Sequence, residues 1–168
     1  MTTESHCILI SLGSNVDKEH NTKQGLDAMQ KAFGALEVSS VYESQAVGFD
    51  GENFFNLVVK AFTSLSIEAV CTQLKSIEAK CGRKRSAVKF SPRTLDLDLL
   101  TYDKVVCDKP ITLPREEICY NAFVLQPMAE LIPNETHPVT GKCYQTMWQE
   151  YDKNKQRLWP TPFAWSAN

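Results

Sequence analysis

Apolar and polar positions along the chain follow two periods, and the switches between them divide it into elements. Cys7 to Leu12 is almost continuously apolar and reads as a buried first strand. Gly13-Ser14-Asn15 breaks it, with Ser14 or Asn15 as the expected N-cap of a helix running to about Phe33. Leu26, Met29 and Phe33 fall at helical spacing there, and Gly34 is a stop. Leu36 to Ser44 alternates and predicts a second strand, Gln45 to Glu52 a loop, and Phe54 to Phe62 a third strand with Asn56 inside it. Ile67, Val70, Leu74 and Ile77 share one face of a second helix over Ile67 to Cys81, ended by Gly82. A basic loop, Arg83 to Pro92, leads into an alternating strand that runs to about Tyr102. Val105 to Cys107 suggests a short edge strand. A helix over Asn121 to Leu131 starts at an Asn cap and ends before Pro133. Tyr144 to Tyr151 suggests a last short helix, and the stretch from Trp159 to Phe163 an extended tail.

The order β-α-β-β-α-β implies an α+β fold, a ferredoxin-like antiparallel sheet with helices packed on it. The 168 residues suit a single domain, with a core of about residues 7–145 and a C-terminal tail over 146–168. The charge balance, 18 basic against 20 acidic residues, does not favour nucleic acid or an anionic membrane. Six scattered cysteines without a Cys-x-x-Cys pair, and three histidines far apart, argue against a zinc site or a disulfide framework. The apolar run at Cys7 is too short for a membrane or signal segment, so a cytoplasmic protein is expected. A monomer is expected as well.

Chemistry concentrates in Leu95-Asp96-Leu97-Asp98-Leu99. A strand places the three leucines on one face and both carboxylates on the other, about 7 Å apart along the backbone at about 3.4 Å per residue. Two like charges in that position require positive charge nearby. Arg83, Lys84, Arg85, Lys89 and Arg93 precede them directly. Hard carboxylate oxygens without histidine or cysteine suit Mg²⁺, which takes its remaining ligands from water and phosphate. Acid pair plus basic loop is thus the pattern of a metal-bound polyphosphate, with the planar forks of Arg83 and Arg93 as the better phosphate partners. The basic loop is expected to close over such a ligand. Ser11 to Asn15 is either a phosphate cradle at a helix start or a tight turn, and Asn56 either reads the edge of a planar heterocycle or bonds neighbouring backbone.

Together these segments resemble the 6-hydroxymethyl-7,8-dihydropterin pyrophosphokinases. The resemblance rests on Ser11 to Asn15, Tyr42-Glu43-Ser44, Asn53 to Asn56, Pro92 to Asp98, Phe123 to Pro127 and His137-Pro138, in order from about Ile8 to Gly141. It implies transfer of pyrophosphate from ATP to the pterin hydroxymethyl group, leaving AMP. It also implies two Mg²⁺ ions held by Asp96 and Asp98, with Arg83 and Arg93 as catalytic arginines. Ser44, Gln45, Val47, Asn56 and Phe123 match the pterin side, and Glu78, Arg83, Arg85, Arg93, Leu99, Thr112 and Arg115 the ATP side. The chain departs from the family's usual residues at Phe90, Pro110, Arg115 and Asn121, which bears chiefly on the ATP contacts. Two other readings compete: a non-catalytic nucleotide-binding module of the same fold, and another Asp-x-Asp metal-dependent nucleotidyltransferase.

Overall fold

The computed structural model describes residues 4–45, 52–81 and 95–165. In chain order the elements are β1 (His6–Ser14), α1 (Lys18–Phe33), β2 (Glu37–Val38), β3 (Val41–Ser44), β4 (Phe54–Thr63) and α2 (Ile67–Lys80). They continue with β5 (Asp96–Tyr102), α3 (Glu117–Tyr120), α4 (Ala122–Leu131), α5 (Tyr144–Glu150) and β6 (Leu158–Thr161). The strands form one antiparallel sheet in the order β5-β1-β4-β3-β6, with β2 also paired to β4. The fold is α+β.

Both faces of the sheet are covered, which is why β1 and β4 read as near-continuous apolar runs. On one face Ile8, Ile10 and Leu12 of β1 join Leu57, Val59 and Ala61 of β4 and Leu97 and Leu99 of β5. α1 and α2 close this core with Leu26, Met29, Phe33, Val70, Leu74 and Ile77. The opposite face places Leu9, Val58 and Leu100 against Ile118 of α3, Val124, Leu125 and Met128 of α4, and Tyr144 of α5. Gly25 sits mid-helix at a cost in helix propensity because α1 lies close to the sheet. A Cβ there would come within 3.0 Å of Leu95 and 3.2 Å of Leu12.

β5 shows how core packing fixes chemistry. Leu97 and Leu99 are 5% and 1% exposed. At about 1.5–3 kcal/mol for each fully buried leucine, a one-residue slip that buried Asp96 and Asp98 instead is prohibitive. A β-bulge follows: Ile10 lies opposite Leu99 and Leu9 opposite Thr101, leaving Leu100 as the extra residue. Leu100 lies in the second core by plain alternation with Asp96 and Asp98, and the bulge returns Tyr102 to the first, where its hydroxyl donates to the Leu65 carbonyl at 2.7 Å.

Several sequence expectations need correction. Neither Ser14 nor Asn15 caps α1. The residue before the helix is Asp17, in the left-handed region at φ 44° and without a side-chain cap. Both are buried, Ser14 at the end of β1 and Asn15 just after it, where the Asn15 amide donates to the Glu52 carbonyl. The stretch from Leu36 to Ser44 is two strands rather than one, since Ser39 turns its hydroxyl onto the Val58 amide between them. Val105 to Cys107 provides only a single bridge, Cys107 with Leu113. Asn121 precedes α4 but its side chain does not cap it. The segment read as a tail contains β6, paired along β3. α3 was not foreseen, being only four residues long.

α4 is tied to the sheet by one carboxylate. Glu130 accepts from the Tyr42 hydroxyl at 2.6 Å and from the Ser40 amide and hydroxyl at 2.8 and 3.0 Å. Burial, and then the bond to Glu130, push the Tyr42 hydroxyl pKa above its ordinary value. Glu130→Ala leaves the Tyr42 hydroxyl, on a residue only 6% exposed, without its acceptor. Urea unfolding of that variant is expected to show a loss of about 1–3 kcal/mol, whereas Glu130→Gln, which keeps an acceptor, loses less.

Candidate active site

The strand register assembles a row across the sheet that no single segment contains. Asp96 of β5 lies opposite Gly13 of β1, Gly13 opposite Asn56 of β4, and Asn56 opposite Tyr42 of β3. In the adjacent row Asp98 faces Ser11, and Ser11 faces Val58. Val58 belongs to the core under α4, so the Asp96–Gly13–Asn56 row begins where that core ends. Asn56 is 7% exposed, and its amide nitrogen donates to the Ser44 hydroxyl at 2.8 Å. Its amide oxygen is directed towards β1, 3.6 Å from where a Cβ on Gly13 would stand. Gly13 therefore keeps the middle of the row low, with a carboxylate on one side and an amide on the other.

Asp96 and Asp98 are both half-buried on the edge strand of the sheet. Their neighbours on β1 are a glycine and a serine, so no cation on that strand neutralises them. Among the described residues a guanidinium comes from Arg115, whose Nη2 lies 3.6 Å from an Asp98 oxygen while its Nε donates to the Leu99 carbonyl at 3.0 Å. Among the described residues no three acidic, histidine or cysteine side chains cluster as a closed metal cage. The donor set present, two carboxylates on an open strand face, fits an ion such as Mg²⁺ that retains water and binds phosphate oxygens.

Other predicted ATP-side residues fall along the same edge. The Leu99 side chain is buried at 1% exposure, so only its backbone remains for a ligand. Glu78 of α2 is 7% exposed and accepts the Leu97 amide at 2.8 Å. Thr112 is exposed three residues before Arg115, whose amide bonds the Leu100 carbonyl. Glu78 and Arg115 thus pin the outer edge of β5 from two directions and hold the acid pair in register.

On the other side of the row, Ser44 ends β3, Gln45 is exposed beyond it, and Phe123 lies half-buried in the first turn of α4. The stems around residues 46–51 are braced by Asn53, whose amide donates to Glu43 at 2.9 Å, and by the Asn15 bond to Glu52. The structure thus brings Asp96, Asp98, Asn56 and Ser44 onto one face, with Arg115 and Phe123 from flanking elements. Val47, Arg83, Arg85, Phe90 and Arg93, with the expected loop closure, lie outside the described residues. Sequence reasoning missed the part of the Ser44 hydroxyl and the central place of Gly13, because cross-strand register is not written locally.

Residues 9–133 match the family model described as 7,8-dihydro-6-hydroxymethylpterin-pyrophosphokinase (HPPK). The chain belongs to this family. A 2-amino-4-hydroxy-6-hydroxymethyldihydropteridine pyrophosphokinase of Aquifex aeolicus is 34% identical over 138 residues, 80% of this chain and 86% of that protein. The Bacillus subtilis protein of the same name is 30% identical over 155 residues, covering 89% and 88%. A folate synthesis bifunctional protein of Arabidopsis thaliana is 34% identical over 80% of this chain but only 28% of its own length. Among solved structures, wild-type Plasmodium falciparum HPPK-DHPS with pteroate superposes with a TM-score of 0.72 at 11% identity, over 90% of this chain and 43% of that one. That likeness is one of fold.

Within this HPPK-family chain the His137-Pro138 pair has a structural part. His137 is 3% exposed, and its Nδ1 accepts the amides of Val139 and Thr140 at 3.2 and 3.1 Å. The ring is therefore neutral, with its proton on Nε2 facing the Cys119 sulfur at 3.8 Å. Burial lowers the His137 pKa from the ordinary 6.5. The unfolded chain then binds a proton that the folded chain refuses, so His137's contribution is complete above the unfolded value and declines as pH falls below it. Unfolding free energy measured between pH 7.5 and 5.5 should drop for the wild type. It should drop less for His137→Asn, whose side-chain oxygen accepts the same turn amides without titrating.

Proposed function

We propose that this chain transfers the pyrophosphoryl group of ATP to the hydroxymethyl oxygen of 6-hydroxymethyl-7,8-dihydropterin, giving AMP and the pterin diphosphate. The observation that carries the reading is the row Asp96–Gly13–Asn56. It sets a pair of anionic oxygen donors two strands from a buried amide, about 10 Å at the usual strand spacing. A planar heterocycle held by its edge at Asn56 would then extend its hydroxymethyl arm over Gly13 towards phosphate held at Asp96 and Asp98. Membership of the pyrophosphokinase family and the names of the relatives support the substrates.

In this reading the pterin hydroxyl oxygen attacks the β-phosphorus. The bond from that phosphorus to the α,β-bridging oxygen breaks, AMP leaves, and the hydroxyl proton passes to solvent. Asp96 and Asp98 would hold two Mg²⁺ ions, which when bound neutralise charge on the triphosphate. Both aspartates serve as ligands rather than as general bases. Asn56 orients the pterin with its amide held by Ser44, Phe123 stacks on the ring, and Ser44, Gln45 and Val47 offer backbone groups. Arg83 and Arg93 counter the charge of the transferring group, and Arg85, Thr112, Arg115 and the Leu99 backbone serve the nucleotide. Glu78 acts on that side through the strand it holds. The strand order β5-β1-β4-β3 supports a ferredoxin-like frame, with β2 and β6 as additions to it.

Pterin-dependent consumption of ATP tests the assignment of roles. Asp96→Asn and Asp98→Asn should each reduce turnover on the order of 10² or more, and Arg93→Ala on the order of 10³. Asn56→Ala should raise the KM for the pterin while leaving that for ATP nearly unchanged. Near-normal turnover in both aspartate variants would overturn the metal-site reading.

A further inference from the structure

Outside the row, the segment Gln156–Thr161 lies beyond the matched region 9–133. Helix α4 has no cap of its own, for Asn121 stands in the capping position without making the bond. An acceptor for the first of its free amides comes from 34 residues downstream. Gln156 Oε1 accepts the Ala122 amide at 2.7 Å, and its Nε2 donates to Asn121 Oδ1 at 3.0 Å. The residue after Ala122 is Phe123. Two residues after Gln156 the chain becomes β6, where Leu158 lies opposite Ser44. One short stretch thus touches the start of the helix that carries Phe123 and the strand end that carries Ser44, the two sides between which the pterin is proposed to sit.

The stretch is anchored further along as well. Phe163 meets Phe55, the neighbour of Asn56, edge-on at 6.0 Å between ring centroids. The Trp165 indole donates to Asp27 of α1 at 2.9 Å. A segment fastened to β3, β4 and α1 offers α4 a fixed reference, whereas a solvent-exposed cap on a free tail would not. Helix starts left without an acceptor fray within the first turn, and Phe123 is in that turn.

We propose that Gln156 is a positioning residue for the pterin side of the site, setting the first turn of α4 and hence the aromatic ring of Phe123 relative to Ser44 and Asn56. The inference rests on the pterin reading above, and two readouts separate its failure from the failure of that reading. Gln156→Met keeps the length of the side chain and removes both hydrogen bonds. Gln156→Glu keeps an acceptor for the Ala122 amide, which suits the helix N-terminus. In the full chain Gln156→Met should raise the KM for the pterin about fivefold, the scale of one lost hydrogen bond. The KM for ATP and kcat should stay within about twofold of wild type, and Gln156→Glu should recover most of the loss. Hydrogen exchange of the 122–124 amides should quicken in Gln156→Met and not in Gln156→Glu, whatever the substrate is. If the KM values for pterin and ATP shift together, or neither shifts, the positioning role is wrong. If exchange at 122–124 is unchanged, the clamp itself is absent. If the wild type does not use the pterin while the exchange result holds, the substrate reading fails and the clamp stands.

Discussion

Two carboxylates side by side on an edge strand repel each other, and the rest of the site is arranged around holding them there. The leucines that alternate with them, Leu95, Leu97 and Leu99, are buried in the sheet's first core, so Asp96 and Asp98 cannot turn inwards without exposing those leucines. The outer edge of β5 is held by Glu78 at the Leu97 amide and by Arg115 at the Leu99 carbonyl. Among the described residues, Arg115 brings positive charge to 3.6 Å from Asp98. A pair so fixed is suited to a ligand that supplies cations and needs them oriented.

The sheet gives the second half of the site at no extra complexity. Because β1 and β4 are both central, Asp96 on β5 and the amide on β4 are separated only by Gly13, which has no side chain to stand between them. The amide is fixed by Ser44, and the walls beyond it are set by contacts distant in sequence: Glu130 to β3, Gln156 to α4, Asn15 to Glu52. The row is therefore a product of tertiary register, with each of its members unremarkable in its own segment.

That division explains what the sequence could show. The alternation from Leu95 to Leu99 reports the face of each residue directly, since a strand's period is local, and the structure agrees residue by residue. The apolar faces of α1 and α2 were legible for the same reason. Asn56 was legible as an anomaly in an apolar strand, but its partner Ser44 was not, because a 12-residue separation carries no periodic signal. Asn121 looked like a cap and is not one, and the helix's first amide, that of Ala122, is accepted by Gln156 from a segment whose Trp-Pro-Thr-Pro composition does not advertise a strand. Pro160 is tolerated in β6 because that strand lies at the sheet edge. The bulge at Leu100 was equally hidden, being a property of the pairing with β1.

The central claim is that phosphate held at Asp96 and Asp98 is delivered as a pyrophosphoryl unit to a heterocycle held at Asn56. The most direct measurement is the identity of both products when the wild-type chain is supplied with ATP, Mg²⁺ and 6-hydroxymethyl-7,8-dihydropterin. The account predicts AMP and the pterin diphosphate in equal amounts, with no ATP consumed when the pterin is left out. ADP with a pterin monophosphate, or free pyrophosphate with a nucleotidyl adduct, would contradict it.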